Sequence, residues 1–485
     1  MSIRQTIGQN FKAFVGLTLT PIILAGLGST AAQAYIPLRF FSPDPTKDFE
    51  FRNQWALHNP AHGIDINVLP AWQLTTGSRD VVVAVIDSGI APLPELEGNL
   101  WINKIEKNGL PQVDDDSNGF VDDIRGANFI NPSRPYYDDH GHGTHVAGII
   151  GARRVNGRGL IGVNQHIRMM NLKYLGSDSR GLMKDAATAI HYALDQGARI
   201  INFSSGGSDP FAGNLPSPPA LDAALARAER EGVLLVAGAG NEKLNNDHTP
   251  FYPASSPYSN IMAVAAIDSR GELYDDERTR SGSNFGPNTV HIAAPGDRIL
   301  SYTANGDQEY WPGTSMATAY VSGVAALVLS REPELTGQEL KERLMQTSRP
   351  LRALRKTTIS GGTVDAYHAL LNIFHEPDPN DPFNWSSVPY EARTPHPYPP
   401  NYQERFVFHV PGAKRLSVHF SRFIFERRDK VYILDGEERL VAVMTGHHLE
   451  EFSPYVEGDT LILDVQADET LERWGFHVDK IAVDR

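Results

Sequence analysis

The feature of this sequence that most constrains its fold is a series of short apolar runs separated by stretches of helical periodicity. Residues 81–86, 198–203 and 233–237 are each apolar enough for a strand that is buried on both faces. Between them, residues 181–196 and 220–231 carry apolar side chains at helical spacing. Strands and helices in alternation predict an α/β fold with a doubly wound parallel sheet. Ligands of such sheets bind beyond the carboxyl ends of the strands, so we expect the chemistry there.

The first residues of the chain are typical of a secretory signal peptide. Arg4 and Lys12 precede an uncharged apolar run over residues 13–27, and small residues follow as far as Ala34. We expect residues 1–34 to be removed on export. The product would be secreted or periplasmic and would have no stable membrane span, since about 20 apolar residues are needed to cross a bilayer.

The last part of the chain has a different pattern. Residues 375–401 contain eight prolines, a density that predicts a stiff linker. Alternating apolar and polar residues then predict the strands of an antiparallel all-β sandwich, in segments 405–410, 416–420, 430–434 and 460–465. The predicted order is a signal peptide (1–34), a short N-terminal segment (35–47), an α/β domain (48–374), the linker (375–401) and a β-sandwich (402–485).

Two features of the composition exclude whole classes of function. The chain has no cysteine, which excludes disulfides, thiolate metal sites, iron–sulfur clusters and a cysteine nucleophile. Its formal net charge is −14, and no run of lysine or arginine interrupts that negative excess, so we expect no nucleic-acid partner. Stability must come from packing, with bound cations as a further source.

Three polar motifs lie where the fold argument places the chemistry. Asp87-Ser88-Gly89 ends the first buried strand, His142 opens a helical stretch, and Ser315 lies at the start of another helix. A helix N-terminus favours negative charge on a serine placed there, but that serine needs a base to take its proton. An imidazole can be the base, and a buried carboxylate can fix its tautomer and stabilise the imidazolium. The developing oxyanion also needs preorganised donors.

The order Asp, His, Ser, with Asn241 after a further buried strand, resembles the subtilisin family of serine proteases over roughly residues 50–370. The resemblance implies a subtilisin-like fold in which Asp87 orients His142, and His142 acts as general base and acid. It implies Ser315 as the nucleophile. The Asn241 side chain and the backbone N–H of Ser315 would then be the oxyanion donors.

The same resemblance implies places for substrate contact. Ser204-Ser205-Gly206 matches the segment that pairs with the backbone of a bound peptide as an added strand. Phe251 stands where the family often has a small residue near the floor of the primary specificity pocket. A phenylalanine there would disfavour long side chains before the cleaved bond. Asp209 could instead offer a carboxylate to a basic side chain, as in the kexin branch, which makes a processing protease acting after basic residues an alternative.

An acidic loop predicts a calcium site. Within residues 114–123, oxygen ligands recur at alternate positions around a glycine turn, which is the pattern that hard cations require. The predicted ligands are Asp114, Asp116, Asn118, Phe120 and Asp122. A plain solvated acidic turn is the alternative.

The C-terminal segment resembles a CUB domain, through residues 398–402, 429–436 and 475–478. That resemblance implies a protein or glycan ligand for this domain, and a role in substrate targeting or stability. The leading interpretation of the whole chain is an exported serine endopeptidase that acts on proteins or peptides with calcium as a structural ion. A surface binding protein, in which the sandwich binds and the protease domain is a scaffold, is the alternative from another class.

Overall fold

The computed structural model of the protein describes residues 49–155, 158–208, 218–469 and 473–485. The predicted signal peptide, the short segment after it and Asp209 lie outside the described residues. The α-helices of the described chain all precede residue 372: α1 (Phe49–Arg52), α2 (Val68–Ala71), α3 (Pro94–Glu97), α4 (Lys104–Asn108), α5 (His142–Gly151), α6 (Met183–Asp195), α7 (Pro219–Arg230), α8 (Thr314–Leu329), α9 (Gly337–Gln346) and α10 (Ala366–Leu371).

The strands of this helical part are β1 (Gly77–Asp87), β2 (Gly126–Asn128), β3 (His166–Lys173), β4 (Ile200–Phe203), β5 (Leu234–Gly238), β6 (Ile261–Ile267), β7 (Asp275–Asp276), β8 (Ser281–Gly282), β9 (Ile292–Pro295), β10 (Ile299–Tyr302), β11 (Gln308–Trp311), β12 (Arg349–Pro350) and β13 (Gly362–Thr363). Nine of them form one sheet in the order β12-β13-β9-β6-β5-β4-β1-β3-β2. All neighbours in this sheet are parallel except β12 and β13. The predicted parallel α/β sheet is confirmed.

Strand β1 divides its side chains between two cores, because successive residues of a strand point to opposite faces. Val83 and Val85 face the core that α5, α8, α9 and α10 cover. Ala84 and Ile86 face the core that α6 and α7 cover. The sheet is therefore buried on both faces, as its near-continuous apolar strands predict.

Helix α8 lies inside the domain rather than on its surface. All sixteen residues from Thr314 to Leu329 are buried, and the helix contacts α5 and strands β4, β5 and β6. Gly323 allows part of this packing, because a Cβ there would lie 2.8 Å from the Cβ of Val163. The polar start of α8 consequently lies at the carboxyl edge of the sheet.

The C-terminal part contains strands β14 (Ser386–Arg393), β15 (Gln403–His409), β16 (Arg415–Ile424), β17 (Lys430–Asp435), β18 (Leu440–Met444), β19 (His447–Phe452), β20 (Val456–Glu457), β21 (Thr460–Gln466) and β22 (Gly475–Asp484). One sheet has the order β14-β22-β16-β19, with β20 also paired to β16, and the other has the order β15-β21-β17-β18. Both sheets are antiparallel, and side chains from both form one apolar core. This confirms the predicted antiparallel all-β domain.

The predicted linker over residues 375–401 needs correction, because residues 386–393 form strand β14. This strand pairs with β22 at the edge of its sheet, with a register shift after Pro389. Proline is tolerated on an edge strand, where its missing N–H is not needed by a second neighbour. The β-domain therefore begins before residue 402.

The two domains contact each other through the segment between β12 and β13. Arg352 pairs with Glu451 at 3.0 Å, and Lys356 Nζ donates to the carbonyl oxygen of Leu449 at 2.8 Å. The guanidinium of Arg355 lies over the ring of Phe383 at 3.8 Å. In the part of the chain that the structure describes, no helix is long and apolar enough to cross a membrane.

Candidate active site

A buried carboxylate and an imidazole meet where β1 ends and α5 begins. Asp87 is the last residue of β1, is fully buried and shares a face with Val83 and Val85. His142 is the first residue of α5, which packs on that face, and its Nδ1 donates to Asp87 Oδ1 at 2.7 Å. The backbone N–H of Ser88 donates to the same oxygen at 2.7 Å. With Nδ1 protonated toward Asp87, Nε2 of His142 is left as the proton acceptor.

Glycine at position 143 sets the spacing between these two groups. A Cβ at Gly143 would overlap the carbonyl oxygen of Gly89 and would lie 3.1 Å from the Cβ of Asp87. A larger residue would push α5 away from the end of β1 and lengthen the hydrogen bond between His142 and Asp87. The glycine after His142 is therefore part of how the sequence builds the pair.

A second carboxylate, Asp138, supports the same region. It accepts from the backbone N–H of Gly141 at 2.8 Å, from Thr144 Oγ1 at 2.6 Å and from Ser88 Oγ at 2.8 Å. Burial raises the pKa of the Asp138 carboxyl, but the hydrogen bonds from Gly141 and Thr144 outweigh burial and hold that pKa below its usual value. Asp138 therefore places a negative charge near His142.

The pKa values of two histidines in the first turn of α5 are shifted in opposite directions. Burial lowers the pKa of His142, but the charge and hydrogen bond of Asp87, with the charge of Asp138, outweigh burial and raise that pKa above 6.5. His145 is fully buried and stacks on Trp311 with ring centres 4.9 Å apart, and burial lowers its pKa to about 4. The pKa of His142 is therefore raised, as a general base that can hold a proton requires, whereas that of His145 is lowered.

Ser315 lies in the first turn of α8 and is tied to the segment after β4. Its hydroxyl donates to the carbonyl oxygen of Ser204 at 2.8 Å, and Ser204 Oγ donates to the carbonyl oxygen of Ser315 at 3.1 Å. Asn202 of β4 donates to Ser204 Oγ at 2.8 Å and accepts from Ser322 of α8 at 2.8 Å. This chain of hydrogen bonds fixes the start of α8 against the end of β4.

Asn241 follows β5 and is anchored to the same helix. Its Oδ1 accepts from the backbone N–H of Thr314 at 2.9 Å, and its Nδ2 lies 3.5 Å from where a Cβ at Gly313 would stand. The amide oxygen is thereby engaged while the NH₂ group remains to donate. Together with the backbone N–H of Ser315, this donor can stabilise an oxyanion formed beside Ser315.

The other residues predicted to contact substrate lie along the same edge of the sheet. Ser204, Ser205 and Gly206 directly follow β4. The buried ring of Phe251 lies between this segment and the loop after β5, because a Cβ at Gly206 or Gly240 would stand 2.5 or 2.9 Å from its ring carbons. The structure thus brings these predicted residues together.

The acidic loop has a different arrangement from the predicted one. Of the predicted ligands, Asp116 joins a cluster with Glu106 and Asp123, whose carboxylate oxygens lie within 4.8 Å of one another. Asp114 instead accepts from two backbone N–H groups of its own turn, and Asp122 accepts from the backbone of residue 112. The loop pattern gave no signal for Glu106, which precedes the motif and reaches it through tertiary contact.

Amide groups separate the carboxylates of this cluster. Asn103 donates to Asp116 and to Asp123 at 2.8 Å each, and Asn118 donates to them at 3.0 and 2.7 Å. Burial, with the nearby charge of Asp116, raises the pKa of Asp123 despite these hydrogen bonds. The side chain of Phe120 is an aromatic contact of the adjacent core.

A buried Asp–His pair and a serine at a helix N-terminus, set at the carboxyl edge of a parallel sheet, define the class of serine hydrolases. The chain belongs to the subtilase family, whose model matches residues 78–374. The assignment agrees with the order of Asp87, His142 and Ser315 along the chain.

Individual proteins are similar to about two thirds of this chain. Over 345 residues the chain is 33% identical to "Subtilisin-like protease 1" of Plasmodium vivax, covering 67% of this chain and 52% of that protein. Over 328 residues it is 31% identical to "Cell wall-associated protease" of Bacillus subtilis, covering 66% and 32%. A solved protease of Pseudoalteromonas arctica superposes with a TM-score of 0.51 at 28% identity, covering 67% of this chain and 98% of that one. The chain spans about half the length of the first curated relatives it matches.

The raised pKa of His142 predicts how Ser315 reacts as pH changes. Proton transfer from Ser315 needs neutral His142, so labelling by a fluorophosphonate should slow as pH falls through a pKa above 6.5. Asp138→Asn removes one charge that raises this pKa and should move the acid limb of the pH profile to lower pH. Stopped-flow labelling between pH 5 and 9 measures the acid limb of both proteins.

Asp139→Asn is the matched control, because Asp139 is the next residue and pairs with Lys173 at 2.6 Å. Its profile should stay where the unmodified profile lies. An acid limb that does not move in Asp138→Asn, or that moves equally in both variants, would contradict this account of His142.

Proposed function

We propose that this chain is a serine endopeptidase that hydrolyses peptide bonds in protein or peptide substrates. The observation that carries the proposal is the hydrogen bond between Asp87 and His142 at the same sheet edge as Ser315 and Asn241. Each group needed for acyl transfer has a residue of suitable chemistry in this arrangement.

The reaction would proceed through an acyl-enzyme. Rotation about the Cα–Cβ bond of Ser315 turns its hydroxyl from Ser204 toward Nε2 of His142. The oxygen attacks the scissile carbonyl carbon while the proton passes to His142, and Asp87 stabilises the imidazolium. His142 then protonates the leaving amine as the C–N bond breaks. A water molecule, deprotonated by His142, attacks the ester carbonyl carbon, and His142 returns that proton to the oxygen of Ser315 as the ester bond breaks and the acid product leaves.

During both additions, negative charge collects on the former carbonyl oxygen. The NH₂ group of Asn241 and the backbone N–H of Ser315 would donate to that oxygen, and both are fixed before the reaction starts. The engaged Oδ1 of Asn241 keeps its amide from rotating. The segment from Ser204 to Gly206 would pair with the substrate main chain as an added strand, which explains recognition of peptides irrespective of most side chains.

Ser315→Ala tests the nucleophile. It should abolish fluorophosphonate labelling and lower kcat for casein by roughly 10⁶-fold, the loss that removal of the nucleophile gives in subtilisin. Asn241→Ala should lower kcat by about 10²–10³-fold while labelling persists at a reduced rate. Ser387→Ala, at an exposed position of β14, is the control and should keep full activity.

Circular dichroism would establish that each variant is folded. Casein hydrolysis that survives in folded Ser315→Ala would defeat the proposed mechanism. An unmodified, folded chain that neither labels nor cleaves would favour the alternative of a non-catalytic binding protein.

We also propose that Phe251 restricts the residue before the cleaved bond to small side chains, since its ring occupies the space between Gly206 and Gly240. Phe251→Gly should raise the ratio of kcat/KM for phenylalanine over alanine at that position on the order of 10- to 100-fold. Tyr252→Phe, at the next residue, should leave the ratio unchanged. A peptide panel read by mass spectrometry measures it.

The role of Phe251 would be contradicted if the unmodified protein already preferred large aromatic residues before the cleaved bond. The same panel addresses the kexin-like alternative, which rests on Asp209. Cleavage after lysine or arginine that disappears in Asp209→Ala would support that alternative, whereas cleavage after alanine would count against it.

We propose that the acidic loop binds calcium. Glu106, Asp116 and Asp123 offer carboxylate oxygens, and turning the amides of Asn103 and Asn118 about χ2 would present two more oxygens, a donor set that suits a hard cation. Three clustered carboxylates also repel one another without a counter-ion.

Calcium removal should therefore destabilise the protein. A ligand at a hundredfold excess over its Kd stabilises the folded state by about 2.7 kcal/mol, so the chelated protein should unfold several degrees lower by calorimetry. Asp123→Asn should remove most of this calcium-dependent shift, whereas Asp122→Asn at the next residue should retain it. If Asp122→Asn removed the calcium-dependent shift in unfolding temperature and Asp123→Asn retained it, Asp122 would be favoured as a ligand. If the unmodified protein showed no such shift, the loop would be a plain acidic turn.

The remaining proposals concern the ends of the chain. We propose that the antiparallel β-domain is CUB-like and targets substrates or stabilises the enzyme by binding a protein or glycan. We also propose export through the N-terminal signal peptide, which is in keeping with the name of the cell wall-associated relative. Mass spectrometry of the mature N-terminus tests the expected cleavage after Ala34.

A further inference from the structure

Two imidazoles and one carboxylate converge at the end of the α/β domain, later in the chain than every residue of the candidate active site. Asp365 caps the N-terminus of α10, His368 lies in that helix, and His375 follows it. We call these three residues the His–Asp cluster. Nδ1 of His368 lies 3.1 Å from Asp365 Oδ1, and Nε2 of His375 lies 3.3 Å from Asp365 Oδ2.

Both nitrogens are buried, and each faces the carboxylate of Asp365 at ion-pair distance but without the alignment of a good hydrogen bond. The imidazole rings are stacked, with centres 3.7 Å apart and planes at 19°, so their edges face the same carboxylate. A single ligand placed between them would satisfy both nitrogens at once.

The carboxylate of Asp365 is held in place by other donors. It is 1% exposed and accepts from the backbone N–H of His368 at 2.9 Å. Nδ2 of Asn67 donates to both of its oxygens, at 3.0 and 3.1 Å. Outer hydrogen bonds of this kind commonly orient the carboxylate ligand of a metal ion.

We infer that the His–Asp cluster is a binding site for a divalent transition-metal ion of the zinc type. A tetrahedral ion with bonds of about 2.1 Å separates its ligand atoms by about 3.4 Å. The separations of 3.1 and 3.3 Å between nitrogen and oxygen are close to that value. Two imidazole nitrogens with one carboxylate suit zinc, whereas calcium takes oxygen ligands.

The position of the His–Asp cluster indicates a structural role for the ion. It joins α10, the last helix of the α/β domain, to the chain that leaves for the β-domain, and Asn67 connects it to the start of the α/β domain. A metal bound here would fasten the C-terminal end of the α/β domain. The site is separate from the oxygen-rich loop around Asp116, so the two metals can be titrated independently.

Calorimetric titration of the full chain with ZnCl₂ tests the inference. The buffer contains enough calcium to saturate the loop around Asp116. The protein would carry Ser315→Ala to prevent self-digestion, so the outcome is independent of the proposed peptidase activity. We expect one zinc ion per chain. His375→Gln and His368→Gln should each weaken that binding by at least about 10- to 100-fold. His447→Gln, at an exposed histidine of β19, should bind as the parent does.

Visible absorption of bound Co²⁺ is a second measurement on the same variants. Co²⁺ bound by two imidazoles and a carboxylate in a four-coordinate site should give visible d–d absorption that His375→Gln removes. Because His375 lies outside α10, its replacement spares the helix, and circular dichroism can establish that the fold is kept. Zinc binding that is unchanged in both histidine variants would overturn the site. The absence of zinc uptake would overturn the site as well. If the stability of the protein then changed as the histidines titrate, the cluster would be an ion pair.

Discussion

The complete burial of α8 is the constraint on which the rest of the structure depends. A helix without a solvent face is fixed along its axis as well as around it, because every side chain must fit a neighbour. Gly323 against Val163 is one such fit. The polar first turn can therefore emerge at only one place, the carboxyl edge of the sheet. There Ser204 and Asn241 hold it from the ends of two adjacent parallel strands.

Burial also decides the electrostatics of this edge. An unpaired carboxylate as deeply buried as Asp87 would be costly, and the hydrogen bonds from His142 and Ser88 offset that cost. His142 and His145 both stack on the ring of Trp311, but only His142 has the carboxylates of Asp87 and Asp138 beside it to offset burial. Two histidines three positions apart on one helix thus acquire different proton affinities, because carboxylates act on His142 whereas burial dominates at His145.

Local patterns explain what could be predicted from the sequence. Buried strands, amphipathic helices and the polar residues after strand ends are local features, so the parallel sheet and the positions of Asp87, His142, Ser315 and Asn241 followed from them. Non-local contacts explain the rest. Strand β14 is proline-rich and gains its structure from pairing with β22, about ninety residues away. Glu106 and His375 reach their clusters through the fold, and no spacing rule relates them to their partners. The calcium site and the CUB-like identity remain predictions.

The alternation of side chains along β1 has a consequence for folding fidelity. A slip of one residue would exchange the groups that face the two cores, and it would turn Asp87 toward α6 and α7, away from His142. A chain trapped in that register would hold no oriented imidazole. Reaction with an active-site probe therefore counts correctly paired chains, so the reactive fraction of a refolded sample measures the accuracy with which this strand found its register.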